Sequence, residues 1–352
     1  MSILNKINEY RRVAMRGLTK NIGKSNISQL RTTATPEIKR VLICRPNNRL
    51  GNLLLMTPLI QEVYETFPGC KIDLFVRGTA APIIFEGYKN INRIISLPKK
   101  PFKHLFNYAG AFWSVRKYPY DIAINVIHNS SSGRLSVQLS NSKYKIFTDG
   151  NEEILNEKFK DSRHMAKYPV YNLREDLLKI GFPEKQKSVP LMDLKLSHAE
   201  LKNGQNVLQD IVKNDKETIG IFTYATGAKC YNESWWMPFY ERLKIEFPNY
   251  NIIEILPVEN VSQINFSAPS FYSKDIREIG SVIANTKLFI GADSGMMHLA
   301  SASLTTTVGL FSVTQSERYA PYGNDSVAIN TNHGDIEQWI SVVDLSLKGN
   351  LN

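Results

Sequence analysis

The 352-residue sequence predicts an α/β protein with two doubly wound, Rossmann-like parallel-sheet domains that face a cleft. Short apolar runs alternate with amphipathic helical patterns along the chain, and alternation at this spacing favours parallel sheets. A polar, glycine-containing turn between an apolar run and a helical pattern occurs in each half of the chain. A chain of this length usually forms two domains.

Five apolar runs in the first half are candidate strands, with amphipathic helices between them. The strands are predicted at 41–46, 72–76, 91–97, 122–127 and 144–147, and the clearest helices at 53–67 and 104–117. Residues 185–196, which include Pro190, indicate an interdomain linker. The first domain is therefore predicted at residues 39–184.

The same alternation continues over residues 197–352, which we predict to form the second domain with a C-terminal helix. Its strands are predicted at 218–223, 252–257, 288–291, 306–311 and 326–329. Its helices are predicted at 197–213, 236–246, 275–286, 294–303 and 335–347.

Residues 288–300 carry the strongest functional signal in the sequence. An apolar run ends at Asp293, turns at Ser294 and Gly295, and opens a helical pattern that carries His298. The N–H groups and the dipole at such a helix start favour anions, and a carboxylate there could accept hydrogen bonds from sugar hydroxyls. The alternative is an ordinary helix cap with the histidine packed against the sheet.

A second motif near the N-terminus favours the ligand-binding interpretation. The apolar run 41–46 is followed by the polar turn 47–52 and by helical spacing over 53–67. Strand, glycine turn and helix form a phosphate or sugar cradle in many α/β proteins. The turn lacks both the G-x-G-x-x-G spacing of a dinucleotide site and the G-x-x-x-x-G-K-[ST] of a P-loop.

These motifs resemble those of glycosyltransferase family nine, the ADP-heptose:lipopolysaccharide heptosyltransferases. Three segments carry the resemblance: Arg49-Leu50-Gly51-Asn52 with Thr57-Pro58, Asp293-Ser294-Gly295 with His298 and Ala300, and residues 309–314 leading to 318–323. The resemblance implies the GT-B architecture, with the donor nucleotide held mainly by the second domain and the acceptor by the first. It also implies no metal and no cofactor other than the nucleotide-diphosphate sugar, which is a substrate.

The positive charge is concentrated in a predicted N-terminal extension over residues 1–38. The first forty residues hold nine basic and two acidic side chains, which is +7 of the net +10. Apolar residues at helical spacing predict a basic amphipathic helix that could lie on an anionic membrane surface, and a solvated tail is the alternative. Nucleic acid is a weaker candidate partner, because the basic residues lack interleaved aromatics and no binding motif occurs.

The composition predicts a reduced, cytoplasmic protein that is at most peripheral to the cytoplasmic face of the inner membrane. Cys44, Cys70 and Cys230 form no C-x-x-C pair, a pattern that predicts neither a disulfide framework nor a zinc site. No apolar run approaches the ~20 residues that are needed to span a bilayer. The N-terminal residues lack the apolar core and the small-residue cleavage site of a signal peptide, so we expect none.

The diphosphate leaving group of such a reaction needs a cation and oriented N–H groups. Lys229, which follows a predicted strand and a glycine turn, is the first candidate, and Arg49 is the second. The family usually places a lysine two residues before a tryptophan in this region. Here Glu233 occupies that place before Trp235, so Lys229 is a substitute and an exposed loop lysine is the alternative.

Donor binding is predicted for side chains at the ends of strands in the second domain. Glu259 resembles a position near the nucleotide ribose, and Thr314 lies in a loop after a strand end. The predicted donor-binding residues are Asp293, Ser294, Gly295, His298, Lys229, Glu259 and Thr314.

The acceptor side departs from the family pattern. Arg49, Gly51, Asn52 and Asn125 are predicted to bind the acceptor, but both asparagines stand where relatives have aspartates, the first of which acts as the base. An amide can orient a hydroxyl but cannot take its proton at neutral pH. His128 follows the same predicted strand, and a histidine side chain can act as a general base near neutral pH, although a surface-loop histidine is an equal alternative. The catalytic candidates are Asn52, His128 and Lys229.

The sequence therefore predicts an inverting glycosyltransferase. The expected donor is ADP-heptose or a related nucleotide sugar, and the expected acceptor is a lipopolysaccharide core or similar cell-surface glycan. Two alternatives remain at this stage. One is a transferase for another nucleotide sugar, and the other is a nucleotide-sugar or carbohydrate-binding protein without efficient transfer, suggested by Asn52 and Asn125.

Overall fold

The computed structural model describes residues 22–27, 35–98, 105–149 and 151–349, which group into two compact units. The first unit takes the described residues up to Asn48 together with Pro58–Pro82 and Tyr88–Pro190. The second unit takes Arg49–Thr57, Ile83–Gly87 and the described residues from Leu191 onward. The amphipathic helix predicted within the N-terminal extension lies outside the described residues.

Strands and helices alternate along the chain as the sequence predicts. The strands are β1 (Arg40–Cys44), β2 (Lys71–Arg77), β3 (Ile91–Leu97), β4 (Pro119–Asn125), β5 (Asn141–Ile146), β6 (Thr218–Phe222), β7 (Asn251–Ile255), β8 (Ser270–Phe271), β9 (Leu288–Ala292), β10 (Thr306–Phe311) and β11 (Val327–Asn330). The helices are α1 (Leu50–Leu54), α2 (Thr57–Thr66), α3 (Ala81–Ile84), α4 (Leu105–Ser114), α5 (Ser131–Leu139), α6 (Glu152–Lys158), α7 (Tyr168–Leu178), α8 (His198–Val212), α9 (Glu233–Glu246), α10 (Ile276–Ala284), α11 (Gly295–Ala302), α12 (Ser316–Tyr319) and α13 (Ile336–Lys348). Within the described ranges, no helix is long and apolar enough to cross a membrane.

The first unit is built on a five-stranded parallel sheet with strand order β3-β2-β1-β4-β5. Its central strand β1 is buried from Val41 to Cys44, because helices cover both faces of a doubly wound sheet. Leu42, Phe75 and Phe112 belong to one of its core clusters. The order reverses between β1 and β4, and ligands of such sheets bind beyond the strand ends at this switch point.

Residues 22–27, which fall within the predicted extension, pack on the first unit. The buried Arg134 on α5 donates from Nε to the carbonyl of Ile22 at 3.0 Å and from Nη2 to that of Gly23 at 2.6 Å. The Ser25 hydroxyl donates to Asp149 at 3.0 Å, and the Ile27 side chain is fully buried. This part of the N-terminal region therefore contributes to the fold of the first unit.

The helix predicted at 53–67 is interrupted at Leu55 and Met56, so the structure has two helices, α1 and α2, instead of one. Pro58 has no N–H to donate to the carbonyl of Leu54 four residues earlier. The hydroxyl of Thr57 donates to that carbonyl instead, at 2.8 Å. The single-helix prediction was therefore wrong at the proline, where the backbone hydrogen bond is lost.

The second unit is built on a six-stranded parallel sheet with strand order β11-β10-β9-β6-β7-β8. Counted within the unit, this is the Rossmann order 3-2-1-4-5-6, with the switch point between β6 and β9. The strands β6 and β9 are buried along their whole length. Both sheets are parallel and doubly wound, so the predicted fold class is confirmed.

A partly buried ion pair links α8 to α10 within the second unit. Glu200 completes the capping box of α8 with Ser197, and it accepts from Arg277 Nε at 2.5 Å. The hydrogen bond from Arg277 is the main reason that the pKa of Glu200 falls to about 2. The same guanidinium donates to the carbonyls of Leu194 and Lys195 at 3.1 and 3.0 Å, so it also fixes the segment before α8.

Candidate active site

Three polar side chains meet at the switch point of the second sheet. Lys229 ends a short 3₁₀ turn after β6, Asp293 follows β9, and Thr314 follows β10. The ammonium Nζ of Lys229 lies 2.5 Å from Asp293 Oδ2, and the hydroxyl of Thr314 donates to the same oxygen at 2.5 Å. We call this group the Lys229–Asp293–Thr314 cluster.

The cluster combines a buried carboxylate with a cation that is still partly in contact with solvent. The Asp293 side chain is 5% exposed, whereas that of Lys229 is 34% exposed. The backbone N–H of Asp293 donates to the carbonyl of Leu310 at 3.0 Å, which fixes the carboxylate at the edge of the sheet. The carboxylate therefore orients the lysine, whose side chain stays partly in contact with solvent.

Helix α11 begins directly after this cluster. Ser294 is its N-cap, and its hydroxyl accepts from the N–H of Met297 at 3.4 Å. Ser294 therefore caps the helix, which is the role that the sequence analysis gave as the alternative to ligand binding. Capping uses one N–H of the first turn, and the remaining N–H groups and the helix dipole still favour an anion next to Lys229.

His298 lies on α11 and is 4% exposed. Its imidazole ring lies 6.4 Å from the ring of Tyr319, measured between centroids, and it also packs against Gly51. A Cβ atom on Gly51 would lie 2.6 Å from His298 Cδ2, and a Cβ atom on Gly295 would lie 3.2 Å from Leu50 Cβ. The two glycines therefore allow α1 to approach α11 closely.

The N-terminal motif thus lies in the second unit. The sequence placed it within the domain at 39–184, but Arg49–Thr57 groups with the second unit because α1 packs on α11. Arg49 is exposed just before α1, and Asn52 is half-buried within it. Their acceptor contacts, and the catalytic role of Asn52, stay predictions.

Asn125 and His128 lie at the end of β4 in the first unit. Asn125 is fully buried, and its Nδ2 donates to the carbonyl of Ile127 at 2.7 Å. His128 is exposed in the loop that follows. The amide of Asn125 thus holds the backbone next to His128, and the acceptor contact predicted for Asn125 stays a prediction.

Strand β7 contains a buried carboxyl group, that of Glu254, that the sequence analysis missed. Glu254 accepts from the hydroxyl of Thr223 at 2.5 Å and from that of Ser262 at 2.7 Å. Burial raises the pKa of this carboxyl above its usual value. A charged residue inside the apolar run 251–255 was the available signal, whereas the predicted donor residue Glu259 is exposed in the loop beyond it.

The tryptophan of the family pattern lies among other aromatic rings. Trp235 packs on Tyr231 at 4.3 Å and on Trp339 at 5.5 Å between ring centroids. No group of three or more histidine, cysteine, aspartate or glutamate side chains suited to a metal ion occurs in the described residues. That the reaction needs no metal remains an expectation.

Comparison with known proteins identifies the class of this fold and site. Residues 273–339, which contain the Asp293 motif, match the model of glycosyltransferase family 9 (heptosyltransferase). Lipopolysaccharide heptosyltransferase 3 of Escherichia coli is 23% identical over 297 residues, which is 79% of this chain and 85% of that protein.

Two solved structures have the same fold. A glycosyltransferase of family 9 from Veillonella parvula DSM 2008 superimposes with a TM-score of 0.69 at 15% identity, over 90% of this chain and 99% of that chain. The E. coli heptosyltransferase WaaC with ADP gives a TM-score of 0.63 at 14% identity, over 87% of this chain and 99% of that chain.

The fold and the matches together define a glycosyltransferase of the GT-B class. The resemblance to glycosyltransferase family nine, predicted from three motifs, is confirmed, and the chain is a heptosyltransferase-like glycosyltransferase.

Proposed function

We propose that this protein transfers a heptose from ADP-heptose, with inversion at the anomeric carbon, to a lipopolysaccharide core or similar cell-surface glycan. The names of its E. coli relatives support the sugar and the acceptor, and the ADP bound to WaaC supports the nucleotide. The observation that carries the proposal is the Lys229–Asp293–Thr314 cluster at the start of α11 and at the switch point of the second sheet.

The cluster suits a diphosphate leaving group. In an inverting transfer the acceptor oxygen bonds to the anomeric carbon as the opposite bond to the diphosphate oxygen breaks, and the diphosphate leaves with the electron pair. Negative charge therefore grows on the diphosphate in the transition state. Lys229 and the N–H groups of α11 would stabilise that charge, because preorganised donors act most strongly where charge develops.

The proton of the acceptor hydroxyl must pass to a base. Asn52 cannot accept it and can only orient the hydroxyl. His128, exposed after β4, is the candidate base within the first unit. A transferase that depends on orientation and leaving-group stabilisation alone is the second possibility for this step.

We also propose that the reaction needs no metal ion and that it takes place at a membrane surface. No metal is required if Lys229 neutralises the diphosphate, so activity should persist in a chelator. The proposed place of action is the cytoplasmic face of the inner membrane, where a water-soluble nucleotide sugar can meet a lipid-linked acceptor.

Calorimetric titration with ADP tests the donor site. Lys229→Ala should weaken ADP binding roughly ten- to hundredfold, because a hydrogen bond to a charged group is worth about 1.5–3 kcal/mol. Lys244→Ala is the matched control, since Lys244 also pairs with a carboxylate, Glu241, at 2.9 Å but lies on α9. Unchanged ADP affinity in Lys229→Ala would remove the proposed site.

Product analysis separates the alternative functions. ADP-heptose, other nucleotide sugars and a lipopolysaccharide core acceptor should be offered to the wild-type protein together. Transfer from another donor would change the sugar but keep the mechanism. Tight ADP binding without any glycosyl product would favour a binding protein, the alternative suggested by Asn52.

A further inference from the structure

Helix α4 in the first unit exposes an apolar face. Phe106 is 94% exposed and Trp113 is 72% exposed. Ala109 and Gly110 lie between them and are also exposed. These four residues have the i, i+3, i+4, i+7 spacing of a single helix face, and we call them the α4 face.

The opposite face of the same helix is anchored in the protein. Phe112 is buried, and its ring lies 5.2 Å from the ring of Phe75 and 5.2 Å from that of Tyr108. The helix is therefore anchored to the first unit through its inner face, and its outward aromatic side chains are not part of the core. Two large exposed aromatics on one fixed face are unusual for a surface that stays in water.

The surroundings of the α4 face are positively charged. Arg116 and Lys117 follow the helix closely and are exposed, and the sequence from 105 to 117 contains no acidic residue. In the described part of the chain, neither Arg116 nor Lys117 forms an ion pair with a carboxylate.

Arg116 connects this charge to the aromatic face. Its guanidinium carbon lies 5.7 Å from the centre of the Trp113 ring. Burial and the positive charge of Arg116 also lower the pKa of Lys145 on β5, so a further cation lies close by. Aromatic rings next to cations are typical of helices that lie in the interface of a membrane.

We propose that the α4 face docks on the surface of an anionic lipid bilayer, with Phe106 and Trp113 inserted among the lipids and Arg116 and Lys117 near the headgroups. The charge favours this occupant over a second copy of the chain. A two-fold contact would place the same basic residues of both copies against each other. The site is distinct from the predicted N-terminal extension and does not depend on the proposed sugar donor.

Vesicle binding by the full chain tests the proposal. The wild-type protein should sediment with phosphatidylglycerol vesicles and much less with phosphatidylcholine vesicles. Phe106→Ser/Trp113→Ser should lower the partition coefficient at least about tenfold, because two large apolar side chains no longer leave water. Ile245→Ser is the matched control, since Ile245 is 71% exposed on α9 in the second unit.

Fluorescence quenching by brominated lipids shows which residue enters the bilayer. Trp236 and Trp339 are buried and Trp235 is half-buried, so quenching should arise mainly from Trp113. Trp113→Phe should abolish most of the quenching while the vesicle partition is largely retained.

Three results would overturn the proposal. One is a wild-type protein that ignores anionic vesicles at low salt. Another is undiminished binding of the double variant, which would assign attachment to another part of the chain. The third is a wild-type dimer in sedimentation velocity that the double variant loses, which would make the α4 face a contact between copies.

Discussion

Gly51→Ala is expected to destabilise the second unit and to weaken ADP binding. The new Cβ atom would lie 2.6 Å from His298 Cδ2 and 3.4 Å from the Cα atom of Gly295, so the buried imidazole or α1 itself must move. Overpacking of this kind costs about 1–3 kcal/mol. Alanine returns up to ~1 kcal/mol through its higher helix propensity, so a cost in the middle of that range, about 2 kcal/mol, leaves a net loss of roughly 1–2 kcal/mol.

For a domain of this size, the loss corresponds to a decrease in Tm of roughly 2–8 °C. Scanning calorimetry with and without ADP measures both the stability and the nucleotide-dependent shift. Gly295→Ala should fall between wild type and Gly51→Ala, because its closest new contact, at 3.2 Å, is less severe. Gly110→Ala on α4 meets nothing within 4 Å and should stabilise the protein slightly. If Gly51→Ala matched Gly110→Ala, the packing of α1 on α11 would be refuted.

Two further predictions address the missing base and the ion pair between α8 and α10. His128→Ala should abolish most of the activity and Asn52→Asp should bring no gain, because His128 is the proposed base; a gain of up to about 10²- to 10⁴-fold in Asn52→Asp would mean instead that the native protein lacks a well-placed base. Since the pKa of Glu200 is lowered to about 2 from 4.5, its carboxylate stabilises the folded state above the unfolded value, and this stability is lost as the pH falls toward 2. The difference in Tm between wild type and Glu200→Gln should therefore be full at neutral pH and disappear near pH 2, and a difference that did not change with pH would contradict the role given to Arg277.

The sheets could be predicted from the sequence because parallel strands are buried on both faces. The predicted strand at 288–291 corresponds to β9, and the one at 306–311 matches β10 residue for residue. The Lys229–Asp293–Thr314 cluster follows from the same physics. Polar residues that follow neighbouring parallel strands are brought to one edge of the sheet, so the sequence could place them together before any distance was known.

Other features were beyond the sequence because they depend on tertiary contacts. The two-residue strand β8 is too short to show a pattern. The hydrogen bond from Asn125 to the carbonyl of Ile127 could not be predicted, because it depends on the path of the loop after β4; the acceptor contact of Asn125 stays a prediction. Glu254 was overlooked because its hydrogen-bond donors cannot be read from the sequence. The hydroxyls of Thr223 and Ser262, which lie 31 and 8 residues away along the chain, donate to this buried carboxyl group.

A tertiary contact, and not position along the chain, decides which unit contains the N-terminal motif. Arg49–Thr57 follows β1, the central strand of the first sheet, so sequence order assigns it to the first unit. The structure assigns it to the second unit, because Gly51 and Gly295 have no side chains of their own and so let α1 pack closely against α11. Two motifs that lie about 240 residues apart therefore meet by direct packing. The glycines of both motifs would be required by this contact even if neither touched a ligand, so only variants that separate stability from ADP affinity can reveal a binding role for them.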